Sequence, residues 1–266
     1  MNLSQTTKDV LEKITIAEKE GRFNDHLDDI VFPEYYNVDA NYKFVKPWYI
    51  RLGYFFLRLF PVNPYCFIVN NFWLKTKVFG KEKLKKIKTG AVVTCNHVNK
   101  LDAIALGKAL RGRKVHYTVA EFNNMKCRLG SYMRAYGIMP FSESRGGMKN
   151  FTQHADLFLQ KKHLLTFFPE RSEWWCYEKP RPLEIGAFHY AAKNNVPVVP
   201  VFITFIKTGK FDNQGIEKRQ FIVNVLDPIY PKDGLTVSEQ KLYMKEENEK
   251  RNIACYEAFY KKKLEY

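Results

Sequence analysis

From residue 91 onward, apolar stretches with strand-like and helix-like spacing alternate along the chain. The strand-like runs cover 91–95, 115–119, 137–141, 164–168, 198–205 and 221–226, and the helix-like runs cover 102–111, 148–161, 184–194 and 237–262. Such alternation is typical of an α/β fold in which helices flank a mostly parallel central sheet. We therefore predict a single α/β domain and expect its functional groups at the carboxyl ends of the strands.

A histidine and an aspartate follow the first of these strands. His97 and Asp102 are five positions apart, between the strand-like run 91–95 and the helix-like run 102–111. If the connecting loop folds one side chain onto the other, the carboxylate fixes the imidazole tautomer and leaves the second ring nitrogen free to accept a proton from a hydroxyl. The alternative is structural, with Asp102 as a helix N-cap and His97 as an ordinary surface or core histidine.

Charged residues also follow two later strands. Arg145, with Gly146 and Gly147 beside it, follows the run 137–141. A guanidinium there can hold a phosphate in a forked geometry, and the glycines would let a ligand approach the backbone. The alternative is an ordinary surface arginine.

The strand-like run 164–168 leads into Pro169, Glu170 and Arg171. Glu170 at a strand end can accept a hydrogen bond from a substrate hydroxyl or from backbone N–H groups. A surface ion pair with Arg171 is the alternative. Trp174 and Trp175 follow, and two adjacent tryptophans in a loop could line an entry for an acyl chain or lipid.

Residues 47–73 are unusually rich in large aromatic side chains, with prolines at 61 and 64 dividing them into two halves. Neither half has the roughly 20 apolar residues needed to span a bilayer. Aromatic residues flanked by Lys and Arg suit the headgroup region, so we predict a pair of interfacial helices. The alternative is a pair of core helices with snorkelling arginines. Further upstream, the spacing at 7–20 predicts a short amphipathic helix that docks on the domain.

The net charge of +15 is unevenly distributed, because residues 1–40 hold nine acidic and four basic residues. A basic body suggests an anionic partner such as an anionic membrane surface, a phosphorylated substrate or a nucleic acid. We find no interleaved basic and aromatic platform typical of nucleic-acid binding, and we expect no nucleic-acid partner.

The five scattered cysteines suggest reduced thiols and no metal site. The polar residues 1–22 suggest no signal peptide.

Four stretches occur in the order that marks one enzyme family. They are Asn96-His97 with Asp102 after four intervening residues, the strand that leads to Arg145, Phe168-Pro169-Glu170, and 196–200 (Val-Pro-Val-Val-Pro). Over residues 80–226 the sequence therefore resembles the glycerophosphate and lysophosphatidate acyltransferase family. The first stretch alone is a weak signal, whereas all four in order are specific.

The resemblance implies transfer of a fatty acyl group from an acyl thioester, either acyl-CoA or acyl carrier protein, to the hydroxyl of a lysophosphatidate-like acceptor. It implies His97 as general base with Asp102 as its orienter. Arg145 and Arg171 would hold the acceptor phosphate, and Glu170 would position the glycerol part. No cofactor is expected. The resemblance also implies a place on the cytoplasmic face of a membrane, in phospholipid biosynthesis.

The sequence departs from the family pattern after Glu170, where Arg171-Ser172-Glu173 replaces the usual Gly-Thr-Arg. Arg181 could therefore replace Arg171 as the phosphate ligand. Two alternatives to acylation of a lysophosphatidate-like acceptor follow. One is acylation of another lysophospholipid or of a glycolipid, and the other is a non-catalytic membrane-binding relative.

The predicted organisation is an acidic and aromatic arm over 1–45, interfacial aromatic helices over 46–78 and an acyltransferase domain over 79–266.

Overall fold

The computed structural model describes residues 7–27, 33–212 and 216–266. The strands are β1 (Lys77–Phe79), β2 (Ala91–Cys95), β3 (Val115–Ala120), β4 (Ile138–Phe141), β5 (Leu164–Phe167), β6 (Val198–Phe211) and β7 (Glu217–Val225). The helices are α1 (Thr7–Lys19), α2 (Trp48–Trp73), α3 (Glu82–Lys85), α4 (Asp102–Ala109), α5 (Arg128–Tyr136), α6 (Arg145–Gln160), α7 (Gly186–Lys193) and α8 (Val237–Tyr260). A 3₁₀ turn covers Glu121–Asn123.

The strands form one seven-stranded sheet in the order β1-β7-β6-β2-β5-β3-β4. The five strands from β6 to β4 are parallel, whereas β7 pairs antiparallel with β6, and β1 runs parallel to β7. The predicted α/β fold with a mostly parallel sheet is confirmed. Since β2, β5 and β4 point the same way, the segments that follow them emerge at one edge of the sheet.

Helices cover both faces of the sheet. One core contains apolar residues of α4 with side chains from β2, β6 and β7, and the other contains residues of α6 and α7 with Met244 of α8. The β2 strand is buried at every position, as expected for a central strand covered on both faces. It therefore gives the loop that follows it a rigid base.

The aromatic segment forms one continuous helix of 26 residues instead of the predicted pair. Pro61 lies inside a π-helical turn, Arg58–Val62, and Pro64 lies in the first turn of the α-helical piece that follows. A wider turn can accommodate a residue without a backbone N–H, so these prolines do not end the helix. The helix is about 39 Å long and is long and apolar enough to cross a membrane. Only 11% of the most apolar 18-residue stretch of this helix is buried.

Candidate functional site

The loop after β2 folds Asp102 back onto His97. Asp102 Oδ2 lies 3.0 Å from His97 Nδ1 and accepts backbone hydrogen bonds from Val98 N at 2.6 Å and Asn99 N at 2.9 Å. The N-cap of α4 is Leu101, which makes no side-chain cap. The interpretation of Asp102 as a helix cap is therefore wrong: the carboxylate binds the loop upstream and the imidazole.

The surroundings of His97 raise the pKa of its imidazole above that of a free histidine. Burial lowers the pKa of His97, but the hydrogen bond and the negative charge of Asp102 raise it more, so that the net pKa lies above the ordinary 6.5. Burial raises the pKa of the Asp102 carboxyl, and its three hydrogen bonds oppose that effect. The pair thus forms a base with a raised proton affinity.

The imidazole is partly accessible to solvent. The His97 side chain is 25% exposed while Asp102 is fully buried. Phe168 stacks on the ring with centroids 4.5 Å apart, which fixes the ring plane. Because Nδ1 faces Asp102, Nε2 is the nitrogen that a substrate hydroxyl can approach. The stacking role of Phe168 was missed from the sequence, although Phe168 belongs to a recognised motif.

We expect activity to fall as the pH falls through the pKa of His97, because the protonated ring cannot accept a proton. The acid limb of kcat/KM should have its midpoint above 6.5. In Asp102→Asn the raising interaction is lost, and the midpoint should move to lower pH. A phosphate group on the substrate would itself titrate near pH 6. NMR of ¹³C-labelled His97 without substrate therefore reports the titration of the imidazole alone. An unchanged His97 midpoint in Asp102→Asn would count against the pair.

Asn96 attaches the loop 96–101, which carries His97 and is called the site loop, to the sheet. Its amide donates from Nδ2 to the Ile203 carbonyl at 3.0 Å and accepts from Ile203 N at 2.7 Å. Both bonds are buried and join the end of β2 to its neighbour β6. The residue before His97 is therefore held at the sheet edge.

A buried ion pair lies behind His97. Glu170 Oε2 accepts from Arg181 Nη2 at 2.8 Å and from the backbone N–H of His97 at 3.1 Å. Arg181 also donates to the carbonyl of His97 at 3.2 Å and to Ser172 Oγ at 2.9 Å. Both side chains are at most 1% exposed. We therefore propose that Glu170 and Arg181 position His97, in place of the substrate contacts predicted from the sequence.

Arg171 occupies a different place from Arg181. Its side chain is exposed, and its backbone is left-handed, with a φ of 69°. It follows β5, the direct neighbour of β2. Of the two alternatives that the sequence left open, Arg171 is the one whose guanidinium faces solvent.

Arg145 begins α6 and is exposed. Because β4 lies three strands from β2, adjacent strands being about 4.8 Å apart, Arg145 follows a strand about 14 Å from the one that carries His97. The prediction that the neighbouring glycines admit a ligand is wrong. A Cβ on Gly147 would lie 2.1 Å from the Val38 carbonyl oxygen, and one on Gly146 would lie 3.3 Å from Ala40 Cβ. The glycines make room for the arm of this chain.

The two tryptophans do not line an entry together. Trp174 is fully buried, and its indole stacks under the Arg181 guanidinium at 4.7 Å. Trp175 is half-buried, with Lys100 Nζ 4.6 Å from its ring centroid. The expectation of a tryptophan-lined entry is therefore wrong for Trp174, which instead packs beneath the site loop.

The surface depressions formed by the described residues include two with volumes of 660 and 320 Å³. The larger lies between β1, the end of β7 and α8, and the smaller lies between α1 and the loop 175–179. Neither is lined by His97 or Arg145. Among the described residues, no group of three or more His, Cys, Asp or Glu side chains could hold a metal ion.

Comparison with known proteins identifies related sequences. A family model described as Acyltransferase matches residues 75–204. An uncharacterized acyltransferase from Schizosaccharomyces pombe is 27% identical over 188 residues, which is 68% of this chain and 65% of that protein. A 1-acyl-sn-glycerol-3-phosphate acyltransferase from Saccharomyces cerevisiae is 28% identical over 162 residues, which is 59% of this chain and 52% of that protein. The chain thus spans between half and two thirds of these relatives.

A solved structure has a similar fold. The crystal structure of the 1-acyl-sn-glycerophosphate acyltransferase PlsC from Thermotoga maritima superposes with a TM-score of 0.52 at 16% identity. The match covers 82% of this chain and 97% of that chain. Since the identity is low, this likeness establishes the fold alone.

Proposed function

We propose that this chain, which belongs to the glycerophosphate and lysophosphatidate acyltransferase family, transfers a fatty acyl group from a thioester to the hydroxyl of a lysophosphatidate-like acceptor. The observation that carries the proposal is the contact between His97 Nδ1 and Asp102 Oδ2 at 3.0 Å, with the His97 side chain partly exposed to solvent. An oriented, partly exposed imidazole is what abstraction of a hydroxyl proton requires.

The proposed reaction needs only proton transfer and alignment. His97 Nε2 accepts the hydroxyl proton while the oxygen attacks the thioester carbonyl carbon. The tetrahedral intermediate collapses, the carbon–sulfur bond breaks, and the imidazolium returns its proton to the leaving thiolate. Asp102 stabilises the imidazolium during this exchange. A thioester is already activated, so the chemistry requires no covalent enzyme intermediate.

The acceptor phosphate is proposed to bind to exposed arginines at the same sheet edge. Arg171 follows the strand next to the one that carries His97, and Arg145 follows the strand two positions further. Both guanidiniums are exposed, so each can form paired hydrogen bonds to a phosphate. The overall charge of +15 would attract an anionic acceptor, the phosphates of acyl-CoA or an acidic acyl carrier protein.

An acceptor panel tests this assignment. Initial rates with lysophosphatidate and with the matching monoacylglycerol should differ strongly in the wild type, with the phosphorylated acceptor preferred. Arg145→Ala and Arg171→Ala should each raise the KM for lysophosphatidate about tenfold or more, as for a lost charged hydrogen bond. Lys161→Ala is the control, since it follows the opposite end of α6, about 24 Å from Arg145.

A second candidate is acylation of an acceptor without a phosphate, such as a glycolipid. The observation that favours it is the complete burial of Arg181, which leaves fewer cations at the strand ends. Wild-type rates that do not depend on the acceptor phosphate, together with an unchanged KM in both arginine variants, would support this candidate over lysophosphatidate. Vesicle binding without any acyl transfer would support a non-catalytic relative.

We also propose that α2 holds the enzyme at the cytoplasmic face of an anionic membrane, within phospholipid biosynthesis. At least twelve large apolar side chains of α2 are more than 40% exposed, including Trp48, Phe60, Phe67 and Trp73. Arg51 and Arg58 lie among them. A contiguous exposed aromatic surface of this size is typical of a membrane-binding element.

Replacing Phe60 and Phe72 together with serine should weaken binding to vesicles that contain anionic lipid. The two rings are 66% and 65% exposed, and each contributes about 1.5–3 kcal/mol when buried in lipid. The partition coefficient in a sedimentation assay should therefore fall at least a hundredfold. Phe211→Ser is the matched control, because Phe211 is 62% exposed and lies on β6. Equal effects of both changes would contradict a membrane role for α2.

A further inference from the structure

We propose that α1 and the turn after it, residues 7–27, act as a positioning element for His97. We call this segment the clasp, and we call residues 170–181 the buttress loop. The clasp packs on the buttress loop, and the buttress loop holds the backbone of His97. This inference rests on the proposed function for its kinetic readout, and it has a second readout that does not.

The clasp and the buttress loop share a hydrophobic cluster that is separate from the two main cores. Trp174 is fully buried within it and packs edge-on against Tyr177, with ring centroids 5.0 Å apart. The buried clasp residues of the cluster are Val10, Ile14, Ala17 and Leu27. The clasp therefore covers the buttress loop with apolar side chains and leaves the sheet cores independent of it.

Backbone carbonyls of the clasp accept hydrogen bonds from buried side chains of the buttress loop. The carbonyl of Asp25 accepts from Trp174 Nε1 at 3.0 Å, and the carbonyl of Phe23 accepts from Arg181 Nη1 at 3.1 Å. Glu18 and Lys179 form an ion pair in which both side chains are less than one quarter exposed. Without the clasp, the buried Trp174 and Arg181 would lose acceptors, which is costly for buried donors.

The buttress loop then fixes both backbone groups of His97. Its N–H donates to Glu170 Oε2 at 3.1 Å, and its carbonyl accepts from Trp174 N at 3.0 Å and from Arg181 Nη2 at 3.2 Å. The carbonyl of Val98 accepts from Cys176 N at 2.8 Å. Trp174 and Arg181 thus each bond to the clasp on one side and to His97 on the other.

The clasp is suited to alter the site without unfolding the protein. A helix of 13 residues is marginal in water on its own and forms through packing. Release of the clasp would leave the two main cores in place, since no clasp residue belongs to either. Release would instead loosen the backbone that aims the imidazole, and a displacement of about 1 Å is enough to slow a reaction that depends on alignment.

Two neighbouring isoleucines give a matched test in the full-length chain. Ile14 is 5% exposed and packs in the cluster, whereas Ile16 is 51% exposed. We expect Ile14→Asp to release the clasp, lower kcat at least tenfold and leave the KM for the acceptor within twofold. Ile16→Asp should match the wild type. ¹⁹F NMR of 5-fluorotryptophan-labelled protein should show Trp174 exposed only in Ile14→Asp.

The second readout is the NMR titration of His97, which does not require activity. In Ile14→Asp the His97 midpoint should move toward the ordinary 6.5, because a mobile loop weakens the contact with Asp102. Should the wild type prove inactive, this shift still tests the clasp separately from the proposed function. Trp174→Phe, which keeps a ring but lacks the donor to Asp25, should give a smaller shift in the same direction.

Three results would overturn the proposal. One is an exposed Trp174 in Ile14→Asp together with wild-type kcat and an unchanged His97 titration. Another is an equal effect of Ile14→Asp and Ile16→Asp. The third is global unfolding of Ile14→Asp, since the clasp would then be part of the core and not a separate positioning element.

Discussion

Replacing His97 with alanine should reduce kcat for acyl transfer about a thousandfold, with little change in the KM for either substrate. General base catalysis by a positioned side chain contributes on the order of 10² to 10⁴ in rate. The fold should survive, because Asp102 keeps its hydrogen bonds to Val98 N and Asn99 N. Initial rates with thioester and lysophosphatidate would measure the loss, and thermal unfolding would check the fold.

His189→Ala serves as the control for this change, since His189 lies on α7 and contacts the ring of Tyr190. Asp102→Asn should retain more activity than His97→Ala, because the imidazole remains but its tautomer and orientation are less well fixed. A folded His97→Ala protein with more than one tenth of wild-type kcat would contradict the role of His97 as base.

Replacing Glu170 with glutamine should destabilise the protein by about 3–5 kcal/mol. The change leaves the Arg181 guanidinium buried without its counter-charge, and removal of one partner from a buried pair has that cost. The midpoint of thermal unfolding should fall by about 10 °C. Urea unfolding followed by circular dichroism would measure the difference in free energy.

The matched control is Glu178→Gln. The pair between Glu178 and Arg219 has the same kind of contact, at 2.9 Å, but both side chains are about one fifth exposed. Its loss should therefore cost less than about 1 kcal/mol. If the two variants lose equal stability, the buried pair does not have the structural role that we assign to it.

The sequence was informative where residue chemistry and local spacing decide the structure. Alternating apolar runs predicted six of the seven strands and the order of the main helices. The spacing of His97 and Asp102 left a contact and a helix cap as alternatives, and only the four motifs in order favoured the contact that the structure has. The strand Lys77–Phe79 was missed, since three residues give no usable periodicity.

Long-range contacts were not predictable in the same way. The α5 helix was missed because Gly130 interrupts its pattern; the glycine is there because a Cβ would lie 1.9 Å from the Met125 carbonyl oxygen. The burial of Arg181 depends on Glu170 and Ser172, about ten residues upstream, and on the Phe23 carbonyl, which is remote in the chain. Nothing in the local sequence distinguishes such an arginine from a surface ligand such as Arg171.

The most direct test of the central claim is to follow an isotope-labelled fatty acyl group from acyl-CoA in the presence of lysophosphatidate and the purified wild-type protein. Mass spectrometry should detect labelled phosphatidate, with one equivalent of free thiol released for each acyl group transferred, and His97→Ala should slow the formation of both about a thousandfold. Thiol release without labelled phosphatidate would indicate hydrolysis of the thioester. That result, or equal product from wild type and His97→Ala, would contradict acyl transfer by an Asp102-oriented His97.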